Sequence, residues 1–227
     1  MSEFPSFPLG KICPLPQGLK LWVEKAKGEG EVETFSALTP PPAPSLSPRE
    51  EAFWKTLIHP RRRREWKQGR LMAKLLLAET LGALPNAFEL LQQEEGPPLV
   101  FFHGHPLQSG RLSISHTSAY VGVAFAPFAV GLDICDRADI TRIQRIAHRA
   151  FSADEAALCQ NPQHLTALWA LKEAALKMQS GGIFNPGLSA VRLSSLCPPA
   201  LSSPQAEACL YALPLAHVAL AWQTAPL

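Results

Sequence analysis

No Cys-x-x-Cys pair occurs in this 227-residue chain, and its five cysteines (Cys13, Cys135, Cys159, Cys197, Cys209) are scattered and odd in number. That argues against a disulfide framework and a zinc site, and fits a reducing, cytoplasmic setting. The N-terminus has no charged stretch followed by an apolar one, so no secretory signal is read there. The longest apolar run, Ala119 to Leu132, is broken by Pro127 and too short for a bilayer; it reads as two buried strands. A net charge of only +2 gives no bulk basic field. Neither a membrane nor a nucleic-acid partner is therefore expected. No short-period repeat is visible. What the chain does have is 47% apolar against 18% charged residues, the balance of a globular protein able to bury one sizeable core or two small ones.

Along the chain, Leu19 to Val23 reads as a short strand before the turn-rich KGEGE. The stretch 39–48, TPPPAPSLSP, is too proline-rich for helix or sheet and is expected to form an extended loop. Ser47 then has the signature of an N-cap, with Pro48 at the first helical position and Glu50 as capping carboxylate, opening a helix through Ile58. A second helix starts at the arginine run Arg61 to Arg64 and is expected to stop at Gly82. Strands are predicted at Phe88 to Leu91 and Leu99 to Phe102, around the turn Gly96-Pro97-Pro98. A meander follows: Arg111 to His116, Tyr120 to Ala126, Phe128 to Ile134. Helices are expected at Ile140 to Ala150, Ser152 to Cys159 (Ser152 capping, with Glu155 three residues on) and Pro162 to Met178, then strands near Ala190 to Leu193, Cys209 to Leu213 and His217 to Trp222. The succession, helix then strands, is met twice. The fold class is α+β in two halves, 1–126 and 127–227, the second carrying the chemistry.

Two stretches carry that chemistry. LWALKEAALKM, Leu168 to Met178, has no Gly or Pro and steps its apolar residues by three and four, so it is helical. Trp169, Glu173 and Lys177 share one face. Lys172 falls at the rim of the apolar stripe, where a lysine costs energy unless an anion meets it. By itself this reads as an amphipathic helix with a snorkelling lysine and a Glu173–Lys177 surface pair. In VGLDIC, Val130 to Cys135, a single carboxylate, Asp133, lies within an apolar strand. A strand carboxylate and a helix carboxylate that converge make a hard-oxygen pair suited to Mg²⁺, which also takes phosphate oxygens. Lysines beside them would meet those phosphates.

Taken in order, LSPREEAFWKTLIHPRRRREWKQGRLMAKLLLAETLG, GPPLV, RLSISHTSAYVGVAFAPFAVGLDI, AFSADEAAL and LWALKEAALKM resemble the 4′-phosphopantetheinyl transferases, over roughly residues 46 to 195. The similarity is to their longer, two-half type, which modifies carrier domains of fatty-acid, polyketide and nonribosomal peptide synthases. The resemblance implies a fold of two pseudo-twofold-related α+β halves, monomeric. It implies an Mg²⁺-dependent enzyme that moves the phosphopantetheine arm of coenzyme A onto a serine of an acyl or peptidyl carrier protein, releasing adenosine 3′,5′-bisphosphate. Asp133 and Glu173 would be the metal ligands, and Glu173 the general base, directly or through a water. Lys177 and Lys172 would hold phosphate oxygens. Ser115 and His116 of SISH would contact the coenzyme, His116 at its 3′-phosphate, with Ser113 and Ile114 lining the same wall. The family places a coenzyme-binding arginine nine residues before the Arg of GRLM, which is Arg61.

Two departures stand out. Where many members carry a second carboxylate, two residues after the strand aspartate, this chain has Cys135, and a thiol suits hard cations poorly. Asp136, one step on, points to the other face by alternation. The family's Gly-Lys-Pro loop is here Gly96-Pro97-Pro98, with Gln92 and Gln93 where a basic residue is common, so phosphate binding leans on Arg61, His116 and Lys177. A different reading of the same residues is a catalytically weak coenzyme A or carrier-protein binding module. Arg137, Arg142, Arg145 and Arg149 make the segment before Phe151 positive, which suits an acidic carrier helix or is an ordinary solvated face.

Overall fold

The computed structural model describes residues 4–15, 18–28, 43–94, 96–179, 187–203 and 205–223. Residues 39–42 of the proline-rich stretch and 29–31 of KGEGE lie outside the described residues. The chain divides into two compact units. The first comprises Pro8–His116 and Tyr120–Pro127; the second comprises Met1–Phe7, Thr117–Ala119 and Phe128–Leu227.

In the first unit, strands β1 (Ile12–Pro14) and β2 (Lys20–Lys25) lead to helices α1 (Pro48–Thr56) and α2 (Pro60–Leu81). Then come β3 (Phe88–Leu91), β4 (Leu99–Phe102), β5 (His105–Pro106), β6 (Arg111–His116) and β7 (Tyr120–Ala126). The antiparallel sheet runs β1-β2-β7-β6, and β3-β4-β5 form a smaller one. Ser47 caps α1 in a reciprocal box: its side chain accepts from the Glu50 amide, and Glu50 accepts from the Ser47 amide at 2.6 Å. The helix stops at Thr56 rather than Ile58, because Leu57 and His59 adopt extended backbone ahead of Pro60. Gly82, at φ +65°, closes α2 in the left-handed conformation glycine tolerates. Met72, Ala73, Leu76 and Leu77 of α2 bury one face against Val121, Val123 and Phe125 of β7 and Leu112 of β6.

In the second unit, β8 (Val130–Asp136) is followed by α3 (Ile140–Ala150), α4 (Ala153–Ala157) and α5 (Pro162–Met178). Strands β9 (Leu193–Leu196), β10 (Pro199–Leu201), β11 (Ala206–Ala212) and β12 (Ala216–Gln223) complete it. The antiparallel sheet runs β11-β12-β8, and β9 and β10 form a hairpin. The strand expected at 190–193 is instead a 3₁₀ turn over Leu188–Ala190 and a strand that starts at Leu193. Short strands β1, β5 and β10 carry no alternation long enough to read in sequence. Ser6 bridges Ala212, and Pro5 accepts from the Ala212 amide at 2.9 Å, so this N-terminal segment belongs with the second unit.

With β1 and β5 of the first unit and α3 of the second set aside, the two units share one order of elements: strand, capped short helix, long helix, a small hairpin, then two strands that complete a sheet with the first. Thus β2, α1, α2, β3–β4, β6, β7 correspond to β8, α4, α5, β9–β10, β11, β12, and sheet order β6-β7-β2 matches β11-β12-β8. One polar device recurs. Glu50, the α1 capping glutamate, is buried, accepts from the Leu90 amide at 2.9 Å and holds Lys74 Nζ at 2.6 Å. Glu155, the α4 capping glutamate, is buried, accepts from the Leu193 amide at 3.1 Å and holds Lys172 Nζ at 2.7 Å. Among the described residues, no helix is long and apolar enough to cross a membrane.

Candidate active site

In the second unit the site is set by how closely α5 lies on β8. A Cβ on Gly131 would overlap the Ala174 carbonyl oxygen and the Met178 amide nitrogen, so the helix backbone rests directly on the strand. Two residues further along β8, on the same face by alternation, stands Asp133. Glu173 and Lys177 flank the contact on α5. Lys177 Nζ donates to Asp133 Oδ1 at 2.6 Å and to the Leu132 carbonyl at 3.2 Å.

The Glu173 carboxyl is raised above the ordinary carboxylate range, first by burial and then by the neighbouring negative charge of Asp133, with Lys177 and Arg142 opposing. Two largely buried carboxylates that repel one another are what a hard divalent cation would relieve. Among the described residues, no group of three or more His, Cys, Asp and Glu side chains is arranged to hold a metal. The pair Asp133 and Glu173 would supply one oxygen each and leave other positions to water and phosphate, the pattern Mg²⁺ prefers. Cys135 is buried, and its thiol is pushed far up by burial and then by Asp133, so it stays protonated and is no ligand for such an ion. Asp136 accepts from Ser118 Oγ at 2.7 Å.

Lys172 corrects an expectation. It was read as a phosphate ligand, but it is 0% exposed and its ammonium is held by both Glu155 oxygens, at 2.7 and 2.8 Å. One position along a helix turns the side chain by about 100°, so Lys172 enters the core while Glu173 faces the site. Burial would raise Glu155, but Lys172 and the Ser152 and Leu193 amides outweigh it and hold the carboxyl below its usual range. The signal for this pair was in the sequence: a lysine needing an anion, and a glutamate read only as a cap.

In the first unit, the expected coenzyme residues fall on two faces of β6. Ile114 faces α2: its Cγ2 is 3.0 Å from where a Gly69 Cβ would be. Ser113 and Ser115, both buried, point to the opposite face by alternation. Ser113 and Ile114 therefore do not line one wall, as had been expected. His116, on the α2 side, meets Glu65 of that helix, Nδ1 to Oε2 at 3.2 Å, and Arg61 Nε donates to the other oxygen of Glu65 at 2.7 Å. Glu65 was not foreseen; its place four residues after Arg61 was the available clue. Gly96 is exposed with φ +88°, and the Pro97 carbonyl accepts from Gln93 Nε2 at 2.5 Å. Gln92 accepts from Arg70 Nη2 at 2.8 Å, so a buried arginine of α2 reaches the hairpin where the loop lysine is missing.

Residues 129–217, which contain Asp133, Glu155, Lys172, Glu173 and Lys177, match the family model of the 4′-phosphopantetheinyl transferase superfamily. No curated protein matches the chain.

Proposed function

We propose that this chain, whose residues 129–217 match the 4′-phosphopantetheinyl transferase superfamily, transfers the phosphopantetheine arm of coenzyme A to a serine of an acyl or peptidyl carrier protein. The observation that carries the reading is the convergence of Asp133, Glu173 and Lys177 where α5 rests on Gly131. In the reaction the carrier serine oxygen bonds to the β-phosphorus of the diphosphate, and the bond from that phosphorus to the bridging oxygen breaks. Adenosine 3′,5′-bisphosphate leaves with the electron pair. Glu173, whose environment raises its proton affinity, takes the serine proton. Lys177 places a positive charge on the diphosphate oxygens as charge shifts to the leaving group. Mg²⁺, held by Asp133 and Glu173, would supply Lewis-acid neutralisation of the diphosphate. Arg61 and His116 are assigned to the coenzyme's 3′-phosphate, with Ser115 and Ser113 on the other face of β6 and Gly96-Pro97 at its loop. The reading extends to the longer, two-half type, which the shared order of elements in the two units supports, and to a cytoplasmic monomer.

The docking surface for the carrier is assigned to α3. Arg142, Arg145, His148 and Arg149 are exposed on it while Ile143 and Ala150 are buried, giving a basic outer face for an acidic helix. Arg145→Glu should slow transfer to carriers several-fold; unchanged transfer to every carrier tested removes this assignment.

The test is mass spectrometry of carrier domains after incubation with coenzyme A and Mg²⁺. The expected result is an adduct of the arm's mass on the carrier serine, lost with EDTA or with Glu173→Ala. Coenzyme binding by calorimetry without any adduct across a panel of carriers would instead support a non-catalytic binding module, which Cys135 and Pro97 favour.

A further inference from the structure

Glu65 is 6% exposed and sits on the buried side of α2, one turn after Arg61. A buried carboxylate is costly unless paired, and this one engages two cation-forming groups with its two oxygens: Arg61 Nε at 2.7 Å and His116 Nδ1 at 3.2 Å. Both partners reach outward from it. The Arg61 side chain is 65% exposed and the His116 side chain 35%. The bond geometry decides which edges they present. An arginine bound through Nε still presents the edge formed by its two Nη groups to another acceptor, and an imidazole that donates Nδ1–H turns Nε2 away, where it donates to a phosphate as the imidazolium. The surrounding field is anion-seeking. The 22-residue helix α2 begins at Pro60 with no side-chain cap, no acidic residue in its first turn, and arginines at 61 to 64 on the positive end of its dipole. Arg63 is taken up by stacking on Trp54, its guanidinium carbon 4.1 Å from the ring centroid.

We propose that Glu65 is the positioning residue for phosphomonoester binding in the first unit: it clips Arg61 and His116 into a fixed pair whose outer nitrogens receive the phosphate. The inference rests on the coenzyme A reading above and adds to it a residue that touches no ligand. It also explains how a chain without the loop lysine at Pro97 holds that phosphate. Two flexible cations would each lose side-chain entropy on binding, whereas a pair already fixed by a buried carboxylate has lost it on folding.

Calorimetry with coenzyme A and with 3′-dephospho-coenzyme A tests this. Wild-type protein should prefer coenzyme A by about tenfold or more, the worth of a charge-assisted contact. Glu65→Gln, which keeps shape and loses the second acceptor, should abolish most of that preference while leaving dephospho-coenzyme A affinity unchanged. Arg61→Ala should cost about tenfold in coenzyme A affinity in the wild-type background but under about twofold in Glu65→Gln. Equal costs in both backgrounds, or tighter coenzyme A binding by Glu65→Gln, overturn the proposal. If Glu65→Gln does not fold, nitrogen spectra of His116 in the wild type with coenzyme A bound decide: protons on both ring nitrogens support the clip, and a bare Nδ1 or a bare Nε2 overturns it. Wild-type binding of both ligands with equal affinity overturns this proposal alone. Wild-type binding of neither overturns the coenzyme reading and this with it.

Discussion

Replacing Gly131 by alanine tests the contact that assembles the active site. The added methyl would stand 3.0 Å from the Ala174 carbonyl carbon, inside the 3.5–4.0 Å optimum for such atoms, with the Ala174 oxygen and Met178 nitrogen closer still. None of these atoms can rotate away, because they are backbone of a hydrogen-bonded helix. α5 must therefore retreat from β8 by about 1 Å or more, and overpacking of this kind costs about 1–3 kcal/mol. The upper end is expected here, a fall of about 6–12 °C in the melting temperature of the 227-residue chain. Activity should fall further than stability predicts, by about 10²-fold, because Asp133 on the strand and Glu173 on the helix separate with the same motion. Circular dichroism melts and the carrier transfer assay read the two effects. Gly69→Ala is the control: its methyl meets the ends of the Ile114 and Val121 side chains, at 3.0 and 3.6 Å, which can yield, and alanine favours the helix by about 1 kcal/mol. A Gly131→Ala variant as stable and active as wild type would refute the argument that backbone contact sets the site.

Lys172→Met should destabilise by about 3–5 kcal/mol in urea melts, since it strands the buried Glu155 carboxylate, and Glu155→Gln in the same chain should restore much of the loss. A raised KM for coenzyme A at unchanged stability would instead restore Lys172 as a phosphate ligand. His217 is buried against Thr166 and lowered to about 4 from 6.5, by burial first and then by Arg137 and His164. Its neutral form is native, so its contribution is whole above pH 6.5 and is lost as pH falls from there through 4, up to about 3 kcal/mol. Urea melts across that window should show the slope in wild type and lose it in His217→Gln; identical slopes would remove His217 from the account. Pro97→Lys should tighten coenzyme A binding several-fold by calorimetry, and no gain would show that the loop does not approach a phosphate.

Much of the local structure was legible because it is decided locally. Ser47 and Ser152 with their glutamates three residues on, Pro48 and Pro162 at helix starts, and Gly82 at a helix end act within one turn of chain, so their positions could be read directly. The 3.6-residue period likewise separated Lys172 from Glu173 and Lys177. What remained hidden depended on partners distant in sequence. The destination of Lys172 required α4 to bring Glu155 beside α5, and the two faces of β6 became distinct only when α2 covered one of them.

By itself, the order of residues determined which segments become helix or strand and which carboxylates and lysines are available for chemistry. Folding decided which of those charges serve the site and which serve the core, because a charge's role follows from its desolvation and its nearest opposite charge. Glu155 and Glu65 became internal anchors, and Glu173 a carboxyl raised above its usual range, only when separate elements came within a few ångströms of one another.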